Sequence, residues 1–277
     1  MTNFELTNAI CEEIRAEYRT PCLSFFLEEG EPGLTGSKVG GTPYLPKGTR
    51  WPVDEQGVPL RFLAQIDCTQ LIALPDYPHA GLLQFFIGTD EMFGCDFGAM
   101  KSKNYAVLYH ETVDTSVTAA DIPLPEPPEE DCSPLEKGPF RIVFGVPVDQ
   151  GMTPGDFRFD PLFVQKWNQQ KPDEPIEKSW DVFELLDEDD DEDDLFGCGG
   201  EDVPHHQLGG YPYFTQADPR ETQHGDLDTL LFQLDSDTRG REFLVCWGDL
   251  GVGNFFINRE ALKRRDFSRV LYNWDCG

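Results

Sequence analysis

Two carboxylates occupy matching settings in this chain. Asp67 stands two residues after Gln65, and Asp235 stands two residues after Gln233. Brought together by folding, Asp67 and Asp235 would have the make-up for acid–base catalysis, one carboxyl kept protonated by the charge of the other. A repeated Gln-x-Asp can equally serve a repeated turn, its amide and carboxylate satisfying main-chain groups, and this structural role is the simpler account. Trp247-Gly248-Asp249 joins an aromatic side chain of the kind that anchors partners to a third carboxylate. Its default reading is a strand end and a turn, with the indole in the core.

Other groupings fail on spacing. His205 and His206 lie near Cys198 and Asp202, but the interval fits no common zinc site, and neighbours on an extended chain point apart. The acidic run Asp187–Asp194 would need Gly sixth and Glu twelfth to form a calcium loop; those positions hold Glu192 and Cys198. There is no Gly-x-Ser-x-Gly elbow, no His-Glu-x-x-His and no glycine-rich phosphate loop. The eight cysteines, Cys11, Cys22, Cys68, Cys95, Cys132, Cys198, Cys246 and Cys276, form no Cys-x-x-Cys pair. They are read as reduced, mostly buried thiols. No catalytic set, cofactor or metal is therefore assigned. Gln65, Asp67, Gln233, Asp235, Trp247 and Asp249 stand as candidate interaction or structural positions.

The elements that would hold these residues follow from periodicity. Leu6, Ile10, Ile14 and Tyr18 predict a helix over Asn3–Arg19, ended by Thr20-Pro21. Short aromatic or β-branched runs predict strands at Leu23–Leu27, Arg61–Asp67, Leu82–Ile87, Asn104–His110, Phe140–Val146, Thr229–Asp235, Glu242–Trp247, Asn254–Ile257 and Arg269–Trp274. Ser236–Gly240 reads as a hairpin loop between two of them. Asn258 caps a short helix over Arg259–Arg265. The Pro- and acid-rich stretch 121–131 reads as an extended linker, and Asp187–Asp194 as a solvated, mobile run.

A repeat orders these strands. Gly40–Leu45 matches Gly209–Phe214, Phe62–Asp67 matches Leu230–Asp235, and Gly81–Ile87 matches Gly251–Ile257, at offsets of 168 to 170 residues. Three blocks in one order predict a duplicated unit. On the second block Leu63, Gln65 and Asp67 are expected on one face and Phe62, Ala64 and Ile66 on the other. The expected fold is α+β and β-dominated: a duplicated sheet unit with an approximate twofold axis, an N-terminal helix and an acidic insertion. It is one domain over 1–277, with halves at about 34–115 and 204–277 joined by an acidic, Pro-rich insertion at about 116–203.

Composition limits the partners. With 22 Lys and Arg against 51 Asp and Glu, the net charge is −29. Residues 121–202 alone hold 24 acids and 6 bases. Such a field repels nucleic acids and anionic membranes and attracts basic proteins. The N-terminus shows no basic segment followed by an apolar run, and no stretch approaches membrane-spanning length, so a cytoplasmic location is expected.

The strings GGTPYLPKGTRWP, PLRFLAQID, GLLQFF, HQLGGYP, LLFQLDSD and WGDLGVGNFFI, in that order, resemble the YwqG-like family (domain of unknown function 1963) from about Gly36 to the end. That resemblance implies an α+β fold with a repeated β unit. More distantly, Gly40, Gly41, Pro43, Leu63, Gln65, Phe85 and Phe86 resemble the programmed-cell-death-protein-2-like family, which implies a chaperone of a basic ribosomal protein. The expected function is a protein-binding module, as chaperone or immunity-type partner of a basic protein. The alternative is a small-molecule-binding protein or a hydrolase using the duplicated Gln and Asp positions.

Overall fold

Thr2 begins the first helix, α1 (Asn3–Glu17). Its hydroxyl accepts from the Glu5 amide at 3.1 Å, and the Glu5 carboxylate accepts from the Thr2 amide at 2.9 Å. Leu6, Ile10 and Ile14 form the buried stripe. The helix stops two residues short of the expected end, because Arg19, Thr20 and Pro21 open strand β1 (Arg19–Glu29). There a ladder with Val148–Gly151 captures them. The computed structural model describes residues 1–96, 103–129, 131–186, 195–196 and 205–277.

The remaining strands of the main sheet are β2 (Lys38–Val39), β3 (Arg61–Asp67), β4 (Leu82–Ile87), β5 (Tyr105–His110), β6 (Phe140–Phe144), β7 (Val148–Gly151), β8 (Gln207–Gly209), β9 (Thr229–Asp235), β12 (Val252–Ile257) and β13 (Val270–Asp275). Their order is β13-β12-β9-β8-β1-β6-β2-β3-β4-β5, with β7 alongside the first residues of β1, and the pairings are antiparallel. The sheet curls into a nearly closed, barrel-like wall. Its end strands meet where the Tyr105 hydroxyl of β5 donates to the Val270 carbonyl of β13 at 2.7 Å. Phe85 stacks on Phe232 inside, with ring centroids 4.5 Å apart. The fold is thus α+β and β-dominated, with an N-terminal helix.

A second apolar cluster lies between helices. α2 (Phe159–Gln170) buries Phe159, Phe163 and Trp167, which pack with the α1 stripe. A third helix, α3 (Arg259–Lys263), is capped by Asn258 as expected, its side-chain oxygen accepting from the Glu260 and Ala261 amides.

Two expectations are corrected. Ser236–Gly240 is not a hairpin loop joining β9 to the next strand. Asp237–Arg239 is itself strand β10, paired with β11 (Glu242–Val245) in a separate two-stranded sheet, while β9 pairs with β8 and β12. Nor does Phe62 share a face with Ala64 and Ile66. A bulge between Phe62 and Ala64 adds a residue to β3 and resets the alternation, so Phe62 packs with Leu60 and Phe86. The expected solvated run Asp187–Asp194 lies outside the described residues, as do Cys198 and Asp202.

Among the described residues, Cys11, Cys22, Cys68 and Cys95 are buried. Burial pushes the thiols of Cys22, Cys68 and Cys95 up to about 12, so they stay protonated at neutral pH. Among the described residues no helix is long and apolar enough to cross a membrane.

Candidate functional site

Glycine opens each half of the site. Gly40 and Gly41 have φ of +70° and +78°, and Gly209 and Gly210 have +66° and +71°. At this point the backbone must turn left-handed and pass close to its neighbours: a Cβ on Gly209 would stand 2.4 Å from the Pro21 carbonyl oxygen. Each Gly-Gly turn delivers the following Tyr to a pair of buried amides.

In the first half, Gln65 Oε1 accepts from the Tyr44 amide at 2.9 Å, and Gln84 Nε2 donates to the Tyr44 carbonyl at 2.6 Å. Gln84 also donates to Gln65 Oε1 at 2.7 Å. The remaining Gln65 donors reach the Leu34 and Gly36 carbonyls, each at 3.0 Å. His110 Nε2 lies 3.0 Å from Gln84 Oε1. Because Gln84 Oε1 can only accept, that nitrogen carries the proton. Burial lowers the His110 pKa and favours the neutral ring.

The second half has a closely similar arrangement. Gln233 Oε1 accepts from the Tyr213 amide at 2.9 Å, and Asn254 Nδ2 donates to the Tyr213 carbonyl at 3.0 Å. Gln233 Nε2 donates to the His205 carbonyl at 2.6 Å. The registers also agree: Gln65 faces Gln84 across β3 and β4, and Gln233 faces Asn254 across β9 and β12, each pair of strands carrying one bulge. Gln65 and Gln233 are both fully buried.

The two aspartates differ. Asp67 is half-buried and caps the short helix Cys68–Gln70, its Oδ1 accepting from the Thr69 amide and hydroxyl. Asp235 is buried and accepts from the His205 amide at 2.9 Å and the Ser236 amide at 2.8 Å. Their main-chain amides behave alike: Asp67 donates to Ser37 Oγ and Asp235 to His206 Nδ1. These bonds hold each aspartate within its own half. Trp247 is fully buried against Phe93, Tyr272 and Trp274, and its indole nitrogen has no hydrogen-bond partner among the described residues. Asp249 is exposed on the turn that follows.

Sequence reasoning passed over two features. Gln84 and Asn254 complete the amide pairs, and each was visible as a polar residue inside an otherwise apolar strand block. Lys38 is fully buried in β2, its Nζ donating to the carbonyls of Gly33 and Thr42 at 2.9 and 3.0 Å. Burial lowers its pKa, partly offset by Glu31.

Each Gly-Gly turn also borders a cleft, and none of the six candidate residues lines either one. The cleft beside Gly209-Gly210 measures about 180 Å³ and carries Arg19, Arg158 and Arg259 with Asp76 and Asp228. Arg158 is fixed there by the buried Asp156, and Arg259 by Asp76 at 2.6 Å. The cleft beside Gly40-Gly41 measures about 420 Å³ and is walled by Trp51, Phe62 and a Pro-rich segment around Leu124. Among the described residues no group of three or more His, Cys, Asp and Glu is placed to hold a metal ion.

A family model described as a domain of unknown function (DUF1963) covers residues 37–276. No curated protein matches the chain.

Proposed function

The chain belongs to the DUF1963 family, and we propose that it works as an acidic module that binds a basic protein, as a chaperone or an immunity-type neutralising partner. The charge carries this reading: 51 acids face 22 bases. Many of those bases are already engaged by the chain's own acids. Arg220 lies between Asp156 and Asp218, Lys166 between Glu13 and Glu17, and Arg269 beside Asp226. The excess is therefore negative charge for an outside cation to meet, and a basic protein can match it over a broad face. The module fits a cytoplasmic protein.

We read the two amide-clamped units as copies of one ancestral unit, related by an approximate twofold axis. The halves are about 34–115 and 204–277, within one domain over 1–277, and the acidic segment 116–203 joins them. The matching bonds of Gln65 and Gln233 and the matching bulges support that reading. Duplicated Gln and Asp positions then hold the shell that presents the acidic surface.

The test is a pull-down from cytoplasm at low and high salt, followed by titration of the recovered protein against a polylysine of matched charge. A basic protein that binds at least about tenfold more tightly than polylysine, and weakens steeply as salt screens charges over about 8 Å, is the expected result. Equal affinity for both would reduce the charge to solubility alone.

A further inference from the structure

Two large aromatic side chains stand together at the surface of this chain. Trp180 and Phe183 lie three residues apart on a short 3-10 helix (Ser179–Leu185) and are 56% and 38% exposed. With three residues per turn, side chains at i and i+3 stand one above the other. The two rings thus form one ridge, and exposed apolar ridges mark interaction sites more often than single exposed side chains do.

The helix under the ridge is pinned. Val182, on its inner side, is fully buried in the apolar cluster between α1 and α2. The Ser179 amide and hydroxyl both donate to Asp160 Oδ1 at 2.7 Å, and Asn3 Nδ2 donates to the Leu185 carbonyl at 2.7 Å. Lys178 Nζ lies 5.3 Å from the centre of the Trp180 ring and steadies that ring from one side. Rings presented on a fixed element lose little freedom when a partner covers them, and Trp is enriched among the residues that carry binding energy.

The charge around the ridge names the occupant. From Asp173 to Asp194 the sequence has 13 acids and one base, Lys178. That base is already cancelled, its Nζ lying 3.3 Å from the Glu221 carboxylate and 3.6 Å from that of Asp160. Glu177 and Glu184 flank the ridge in sequence and are exposed. A second copy of this chain would bring the same acids to the same place, and a nucleic acid or an anionic membrane is repelled by them. What suits an aromatic ridge in this setting is a segment that is apolar on one side and basic around it.

We propose that the Trp180–Phe183 ridge is the docking point of the basic protein partner, and that it takes a basic amphipathic helix, with apolar side chains on the two rings and Lys or Arg toward Glu177 and Glu184. Such docking rests on the chain being a binder of a basic protein; it adds where that partner sits and what it carries besides charge.

The test uses three dye-labelled peptides of equal length. One is an amphipathic helix of Leu and Lys, the second keeps the lysines and has Ser in place of Leu, and the third keeps the leucines and has Glu in place of Lys. Each is titrated by fluorescence anisotropy, at physiological salt, against the native chain and a Trp180→Ser, Phe183→Ser variant. The native chain is expected to bind the Leu-Lys peptide at least about tenfold more tightly than the Ser-Lys peptide, and the Leu-Glu peptide not at all. In the ring variant the Leu-Lys peptide should fall to the level of the Ser-Lys peptide, which itself stays unchanged. Both rings are exposed, so the variant should keep the native urea midpoint. A second variant, Glu177→Gln with Glu184→Gln, leaves the rings in place and should weaken both lysine peptides alike. Equal binding of the two lysine peptides by the native chain would overturn the proposal, as would undiminished Leu-Lys binding in the ring variant or a Leu-Glu peptide that binds as tightly as Leu-Lys. A pull-down separates the two readings. A basic protein recovered equally by the native chain and the ring variant removes the ridge and leaves the basic-partner reading standing. Ring-dependent peptide binding with no basic protein recovered upholds the ridge and counts against that reading.

Discussion

Gln65 shows how far one side chain can reach. It is fully buried, yet its amide meets the Tyr44 amide, the Leu34 and Gly36 carbonyls and the Gln84 side chain. Gln65→Leu keeps the volume roughly constant and leaves those main-chain groups without partners. Each buried group left unpaired costs about 1–3 kcal/mol, so the variant should lose about 3 kcal/mol or more. Asp67→Asn, at a half-buried cap whose oxygen survives the change, should lose under about 1 kcal/mol. Urea unfolding midpoints of the two variants check the contrast, and equal losses would mean that Gln65 is not the centre of the clamp. The glutamines were legible because they recur at fixed offset within apolar strands. Their partners Gln84 and Asn254 carried the same signal in the third block. Lys38 was not legible: a lysine between Ser and Val reads as a solvent-facing strand residue, and only the fold shows that two loop carbonyls enclose it.

At the scale of elements, the strands with mostly apolar runs were read correctly to the residue: Arg61–Asp67, Leu82–Ile87 and Thr229–Asp235 all match. Such strands are buried on both faces, and their boundaries are set by Gly, Pro and Asp. The missed helix α2 did carry a signal, since Phe159, Phe163 and Trp167 recur every four residues, but it sits in a charged stretch whose composition suggests a linker. One link between that helix and the sheet is ionic. Arg220 is fully buried between the rings of Phe256 and Phe157, at 4.0 and 4.9 Å, and bridges Asp156, just before α2, to Asp218. Arg220→Met removes the cation and strands the buried carboxylate of Asp218, while Asp156 keeps its pair with Arg158, and the change should cost about 3–5 kcal/mol. Changing Asp218 to Asn in the same protein removes the stranded charge, and most of the loss should return. If the double variant is no more stable than Arg220→Met in urea, the Arg packs the loop through its rings and its charge is incidental.

The whole molecule is tied together across the barrel-like interior. Phe85 comes from β4, in the first half, yet its ring lies 4.5 Å from Phe232 of β9 and 4.9 Å from Phe255 of β12, in the second. Tyr77 makes a parallel link: its buried hydroxyl donates to the Leu230 carbonyl at 2.6 Å and accepts from the Gly209 amide at 2.8 Å. Burial raises the pKa of that phenol, so it remains a donor throughout the physiological range. Neither half can close its sheet alone, because β1 and β6 stand between them and are shared by both. The chain should therefore unfold in one cooperative step. Fluorine-labelled tryptophan gives a probe in each half, Trp51 in the first and Trp247 and Trp274 in the second, and their native signals should vanish at the same urea concentration. Phe85→Ala opens a cavity at the junction and should cost about 3–5 kcal/mol. The loss should appear in all three signals together, although the changed residue belongs to the first half. A variant in which the Trp51 midpoint falls while those of Trp247 and Trp274 stay in place would show two independently stable halves that merely touch.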